Sequence, residues 1–203
     1  MEKIFHLLLL IPVFGFGQNY LNTKLSDKYD LSVSVMDKEG EEKGHPERWI
    51  YVKAINKMTK KAQDIIIRAG VLYDTSFTDH SKSMSYSTDF NKNRQIVDND
   101  HGDIIVADLN FDGKDDLAIK WEEGGNGGPL YNYYLQDKNG KFIIDDFLSK
   151  EMIFFPMEIN AKKQTLTTLV HASAYSVSET VYKLDPGSGK WKQISHRFIG
   201  GKK

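Results

Sequence analysis

The sequence predicts an all-β fold, an antiparallel β-sandwich or partly open barrel, with one acidic loop set in a β–β connection. Three observations predict it. Short segments alternate apolar and polar residues, as in Leu31-Ser32-Val33-Ser34-Val35, which is the period of a half-buried strand. Turn residues punctuate these segments, with Asp137-Lys138-Asn139-Gly140 and Asp185-Pro186-Gly187-Ser188-Gly189 as the clearest cases. After the N-terminus only Asp145 to Glu151 reads as helix, and then for a single turn.

The elements follow in chain order. Lys3 precedes an apolar run from Leu7 to Phe16 that is too short to span a bilayer, and Gly15 and Gly17 are the small residues of a cleavage site. Residues 1–17 therefore read as a signal peptide, and residues 18–203 as a single β-rich domain. Within it, Trp49 to Asn56 and Asp64 to Arg68 flank the polar turn Lys57-Met58-Thr59-Lys60-Lys61, a hairpin pattern. Residues 74–101 are rich in Ser, Thr, Asp, Asn and Lys and form the longest candidate loop. Strands are then expected at Ile104–Ala107, Leu117–Trp121, Leu130–Gln136, Lys141–Ile144, Met152–Phe155, Thr165–His171, Glu179–Leu184 and Trp191–Ile199.

Composition limits the chemistry. The chain has no cysteine, which excludes disulfides, thiol catalysis, thiolate zinc sites and the lipid-bearing cysteine of bacterial lipoproteins. The expectation is an exported chain, periplasmic or secreted, with no membrane anchor after cleavage. Lys and Arg total 27 against 28 Asp and Glu. So balanced a surface argues against nucleic acid as a partner.

The most specific chemistry lies in Asp108-Leu109-Asn110-Phe111-Asp112-Gly113-Lys114-Asp115-Asp116. Oxygen-bearing side chains fall at positions 1, 3, 5 and 9, and glycine at position 6, where the chain must reverse. Asp108, Asn110 and Asp112 would supply side-chain oxygens, Lys114 its backbone carbonyl and Asp116 the closing carboxylate. Four carboxylates so crowded repel one another, and a divalent cation turns that repulsion into attraction. An all-oxygen cage suits calcium better than magnesium. The loop is no EF-hand, because position 12 is Ile119 rather than glutamate and both flanks read as strands.

Other constellations are weaker. Glu123-Gly124-Gly125-Asn126-Gly127-Gly128 lacks the Gly-Lys-Ser/Thr of a phosphate loop and runs into Pro129 and a strand. It reads as a flexible hairpin end or as a recognition loop whose base calcium would stiffen. Tyr131 and Tyr133 share one strand face and Tyr134 takes the other; inward ones are core, whereas exposed ones suit an interface. His45, His80, His101, His171 and His196 show no ligand spacing, and Ser173 and Ser176 lack a nucleophile elbow. Glu122 and Glu123 are adjacent and so fall on opposite strand faces, wrong for a glycosidase pair. No catalytic constellation is recognised.

The Asp-Leu-Asn-Phe-Asp-Gly-Lys-Asp-Asp-Leu wording resembles the calcium loop of FG-GAP repeats in integrin-type propellers, of which this chain carries a single copy. With the signal peptide and the Gly-rich segment before a Tyr-rich strand, the region Asp103–Ser195 resembles exported bacterial single-loop proteins. These include immunity proteins against peptidoglycan hydrolases delivered by type IV secretion. They are similar to periplasmic inhibitors of invertebrate-type lysozyme, which are β-sandwiches that plug their target with a Ser-Gly…Tyr loop. The nearest match is Gly127-Gly128-Pro129-Leu130-Tyr131, with glycine where serine would stand. The resemblance implies a calcium-binding inhibitor or immunity protein whose partner is a peptidoglycan hydrolase or other envelope protein. Gly127, Gly128 and Tyr131 would touch that partner, on a rim shared with the calcium loop. The alternatives are a calcium-stabilised envelope domain that binds glycan or another ligand, an FG-GAP-like repeat fragment, and a hydrolase with an unrecognised site.

Overall fold

The computed structural model describes residues 19–40 and 46–200. The expected signal peptide and its cleavage point before Gln18 lie outside the described residues. Among the described residues thirteen strands form three sheets, none of them closed into a barrel. The first sheet is an antiparallel meander of β1 (Asn19–Asn22), β2 (Tyr29–Glu39), β3 (Pro46–Asn56) and β4 (Ala62–Arg68). Its alternating segments place Tyr29, Leu31 and Val33 inward, and the register sets Val33 opposite Val52 and Val52 opposite Ile65. The expected hairpin at residues 49–68 is present, its turn tied by Lys60 N–H to the Asn56 carbonyl at 2.9 Å.

The second sheet has the order β5 (Ser83–Ser85), β6 (Ile104–Ala107), β7 (Asp116–Glu122), β8 (Leu130–Gln136) and β9 (Phe142–Ile144). β5 runs parallel to β6, so the fold is antiparallel except for this pair. The third sheet is the antiparallel set β10 (Glu158–Asn160), β11 (Thr165–Ser173), β12 (Ser176–Asp185) and β13 (Lys190–Gly200).

The second sheet lies between the other two. Ile104, Val106, Leu117, Ile119 and Tyr134 join one core with the first sheet, whereas Ile105, Ala107, Ala118, Tyr131 and Tyr133 join another with the third. All four β6 residues are therefore buried, as a strand covered on both faces requires. Each fully buried aliphatic or aromatic side chain contributes about 1.5–3 kcal/mol of transfer free energy.

One expected strand is absent. Residues 152–155 do not pair; a π-helical turn at Leu148–Met152 runs into Ile153 at φ +44°. Leu148, Met152 and Phe155 are spaced by four and three residues, a helical rather than a strand period, and all three enter the second core. The turn is held by Leu148 N–H donating to Asp145 Oδ1 at 2.8 Å, and by Tyr133 N–H donating to Ser149 Oγ at 2.9 Å. Among the described residues no helix is long and apolar enough to cross a membrane.

Candidate functional site

The acidic loop joins β6 to β7, the β–β connection the sequence implies. Its alternation has a structural basis. Leu109 is fully buried in the second core, and Phe111 packs on Trp191 with ring centroids 6.1 Å apart. The intervening Asp108 and Asn110 are half-buried and Asp112 is exposed. Phe111 at φ +63° and Gly113 at φ +77° curl the backbone around Asp108, whose carboxylate accepts from the N–H groups of Asp112 at 3.0 Å and Gly113 at 2.9 Å. Asn110 Oδ1 accepts from Asp112 N–H at 3.1 Å, and Asp112 Oδ1 from Lys114 N–H at 3.0 Å.

The four carboxylates do not crowd together as the spacing suggests. Asp115 turns away to accept from Ser26 Oγ at 2.5 Å, which ties the loop to the first sheet. Asp116 turns inward, accepting from Leu109 N–H at 2.9 Å, Asn110 N–H at 3.3 Å and Gln136 N–H at 2.8 Å. Burial pushes the Asp116 carboxyl up to about 7, against the opposing pull of those amide hydrogen bonds. Among the described residues no three His, Asp or Glu side chains converge as a ligand set.

The donor chemistry still fits a hard cation, since Asp108, Asn110 and Asp112 offer oxygens only, each now accepting from amides of the loop itself. Asp112 would have to release Lys114 Nζ, now 2.8 Å from its Oδ2. Asp116, with three amide donors on four lone-pair sites, supports the loop's shape in this arrangement.

The Gly-rich segment 123–129 links β7 to β8 and so lies at the opposite end of β7 from the acidic loop. Seven strand residues separate them, roughly 20 Å. The expected single rim carrying both is thus two separate ends, and a cation at residues 108–116 would not stiffen the base of this segment.

Nor is the segment a flexible arm. A Cβ at Gly128, which has φ +95°, would run into the Asp98 carbonyl oxygen, and one at Gly127 would meet Phe154 and Val170 at 2.9 Å. Asn99 Nδ2 donates to the Gly127 carbonyl at 2.9 Å, and Gly128 N–H to the Gly125 carbonyl at 3.0 Å. Tyr131 is fully buried, its hydroxyl donating to the Gly102 carbonyl at 3.0 Å. The expectation that Tyr131 anchors a partner is therefore corrected: β8 alternation turns it into the second core. Of this segment Gly124, Gly125 and Asn126 are the exposed residues, whereas Gly128 is buried.

These loops surround an open cleft of about 650 Å³. One wall is the segment 97–100, another the segment 123–129, and the lip is formed by Tyr73 and by the β11–β12 tip at residues 171–174. Beneath lies a charge network that the sequence reading missed. Lys120, 1% exposed, sits 2.9 Å from Asp103 Oδ1, 3.3 Å from Glu123 Oε2 and 3.4 Å from Asp100 Oδ1. Asp103 Oδ2 also accepts from Phe77 N–H at 2.6 Å, and Glu123 Oε1 accepts from Ser76 Oγ.

Both members of the buried pair are shifted upward, for different reasons. Burial lifts the Asp103 carboxyl above its ordinary range; burial would lower Lys120, but Asp103, Asp100 and Glu123 more than offset it. Three carboxylates around one ammonium decide for a charged lysine. The signal in the sequence was strand period: Lys120 shares a face with Ala118, and a lysine on a buried face requires acidic partners.

The remaining candidates do not assemble. Ser173 Oγ is 2.7 Å from Ser176 Oγ and accepts from Tyr175 N–H at 3.2 Å, so turn groups rather than His171 engage it. His101 is buried against Phe155 with centroids 4.9 Å apart.

No family model matches the chain, and no curated protein matches it. Among solved structures it is similar to a Xanthomonas type IV secretion system related protein, at 18% identity and a TM-score of 0.50, covering 90% of this chain and 87% of that one. At this identity the likeness defines the class of fold.

Proposed function

We propose that this chain is an exported calcium-binding module that binds another protein, acting as an inhibitor or immunity protein against a cell-wall hydrolase. The observation that carries the protein-binding part is the rim at the β7–β8 end. There Gly127 and Gly128, which tolerate no side chain, wedge the segment 123–129 against Asp98, Asn99, Phe154 and Val170 beside an open, charged cleft. Preformed loops of this kind lower the ordering cost of association. The fold likeness to a secretion-related protein over most of both chains supports the same reading. The oxygen donors of Asp108, Asn110 and Asp112 support calcium at the other end, in a role that stabilises the sheet rather than the rim.

Two experiments test this. The purified protein is added to peptidoglycan suspensions cleared by a panel of lysozymes, and used as bait in periplasmic extract. Inhibition with capture of the same enzyme is expected; capture of a glycan and no hydrolase would favour the envelope-domain reading, for which a ligand-sized cleft with exposed Tyr73 at its lip is the supporting feature. For the ion, calcium at a hundredfold excess over its dissociation constant should stabilise the fold by about 2.7 kcal/mol. Asp112→Ala should abolish that response. A melting curve unchanged by EDTA after verified metal removal would sink the calcium assignment.

A further inference from the structure

The cleft at the β7–β8 end has a one-sided charge. Its carboxylates are Asp98, Asp100 and Glu123, its one other ionisable side chain besides Tyr73 is His171, and among the described residues neither lysine nor arginine lines it. The nearest cations lie behind this surface. Lys120 is 1% exposed, and Arg94 is drawn to the Asp100 backbone carbonyl at 2.8 Å. Lys120 and Arg94 thus stand against Asp100, Asp103 and Glu123, and Asp98 is the cleft carboxylate left without a cation among the described residues.

The acids differ in how they are held. Glu123 is a built part of the floor, with its side chain 5% exposed and fixed by Ser76 Oγ and Lys120. Asp100 Oδ1 accepts from Gly102 N–H at 2.9 Å, while its Oδ2 comes no nearer a cation than Arg94 at 3.7 Å. Asp98 makes no side-chain hydrogen bond or ion pair among the described residues, and it stands at φ +50° beside Asn99 at φ +59°. Val97, Pro129 and exposed Tyr73 supply apolar wall beside these acids.

We infer that this cleft is a socket for a cationic side chain, arginine or lysine, presented by the protein this chain binds; the inference rests on the protein-binding reading above. The volume lies within the range of roughly 300–1,000 Å³ that ligand sites occupy. An extended aliphatic stem lies along Val97 and Pro129, its charged head reaches Asp98 and Asp100, and the Tyr73 ring offers a face to the cation. Arginine is favoured over lysine, because a planar guanidinium donates to two carboxylates at once. A bare metal ion is a poorer occupant, since Lys120 already holds Asp100 and Glu123.

The ammonium of an amino sugar carries the same charge, so the test separates the two sources. The exported protein, isotope-labelled for backbone amide NMR, is titrated at low salt with Ac-Gly-Arg-Gly-amide, with its uncharged citrulline isostere, and with glucosamine. The arginine peptide should perturb residues 97–100, 123–128 and 171–174, the citrulline peptide should not, and added salt should weaken the effect. Asp98→Asn, whose side chain holds nothing else in place, should keep the wild-type melting temperature and weaken the peptide about two- to fivefold.

Equal perturbation by citrulline, no perturbation by the arginine peptide, or perturbation by glucosamine alone would overturn the socket. Equal capture of a hydrolase by wild type and Asp98→Asn would also overturn it, while leaving the protein-binding reading intact. An arginine peptide seated in the cleft with no hydrolase captured would support the socket and count against the hydrolase.

Discussion

At the scale of single residues, polar groups in the interior set this molecule's electrostatics. Lys120 is held charged by three carboxylates, and removing one partner of such a buried pair typically costs about 3–5 kcal/mol because the other is left uncompensated. His101 is the opposite case, a buried imidazole kept neutral. Burial pushes its pKa from 6.5 down to about 4, with Asp100 pulling up and Arg94 pulling down. Its Nδ1 lies 3.3 Å from Tyr86 Oη, and its Nε2 has no partner among the described residues. The unfolded chain binds a proton near pH 6.5 that the folded chain refuses until about pH 4. The contribution of His101 is thus fully present above pH 6.5 and is lost as pH falls through that window. Urea unfolding across pH 7 to 4 should show wild type losing more stability than His101→Phe, by up to roughly 3 kcal/mol. Parallel curves for the two proteins would mean that His101 titrates normally.

At the scale of elements, alternation was the legible signal, and it placed most strands within a few residues of where they fold. It failed at residues 152–155, where four apolar residues in a row carry no period of their own. The helical spacing of Leu148, Met152 and Phe155 decides the conformation there. The Gly-rich connection was legible as a loop but not as a rigid one, because its rigidity comes from distant atoms. Gly128 sits against Asp98 and Asn99, whereas a Cβ at Gly125 would meet nothing within 4 Å. Gly128→Ala should therefore destabilise by about 1–3 kcal/mol through strain and overpacking, and Gly125→Ala should stay within about 0.5 kcal/mol of wild type. Comparable losses in the two variants, measured by chemical denaturation, would show that the loop is not wedged in this way.

At the scale of the molecule, the middle sheet is common to both cores, so neither can lose its packing without exposing a face of that sheet. Ile50, in the first core, and Leu166, in the second, are both fully buried. Ile50→Ala and Leu166→Ala should each cost about 2–5 kcal/mol and shift one shared transition seen by both fluorescence and circular dichroism. Two transitions, each moved by only one variant, would mean that the layers unfold separately. By itself the sequence determined the all-β class, the strand periods, the acidic loop's place between two strands and the types of its oxygen donors. Those features are local: period, turn chemistry and spacing lie within a few residues of one another. Tertiary structure alone decided that the middle one of three sheets is shared by both cores, that Tyr131 is core, and that the acidic loop and the glycine segment lie at opposite ends of β7. It also brought Asp98, Asp100 and Glu123 around one cleft above Lys120. Strand direction and sheet order set which loops share an end, and those depend on pairings between residues far apart in the chain.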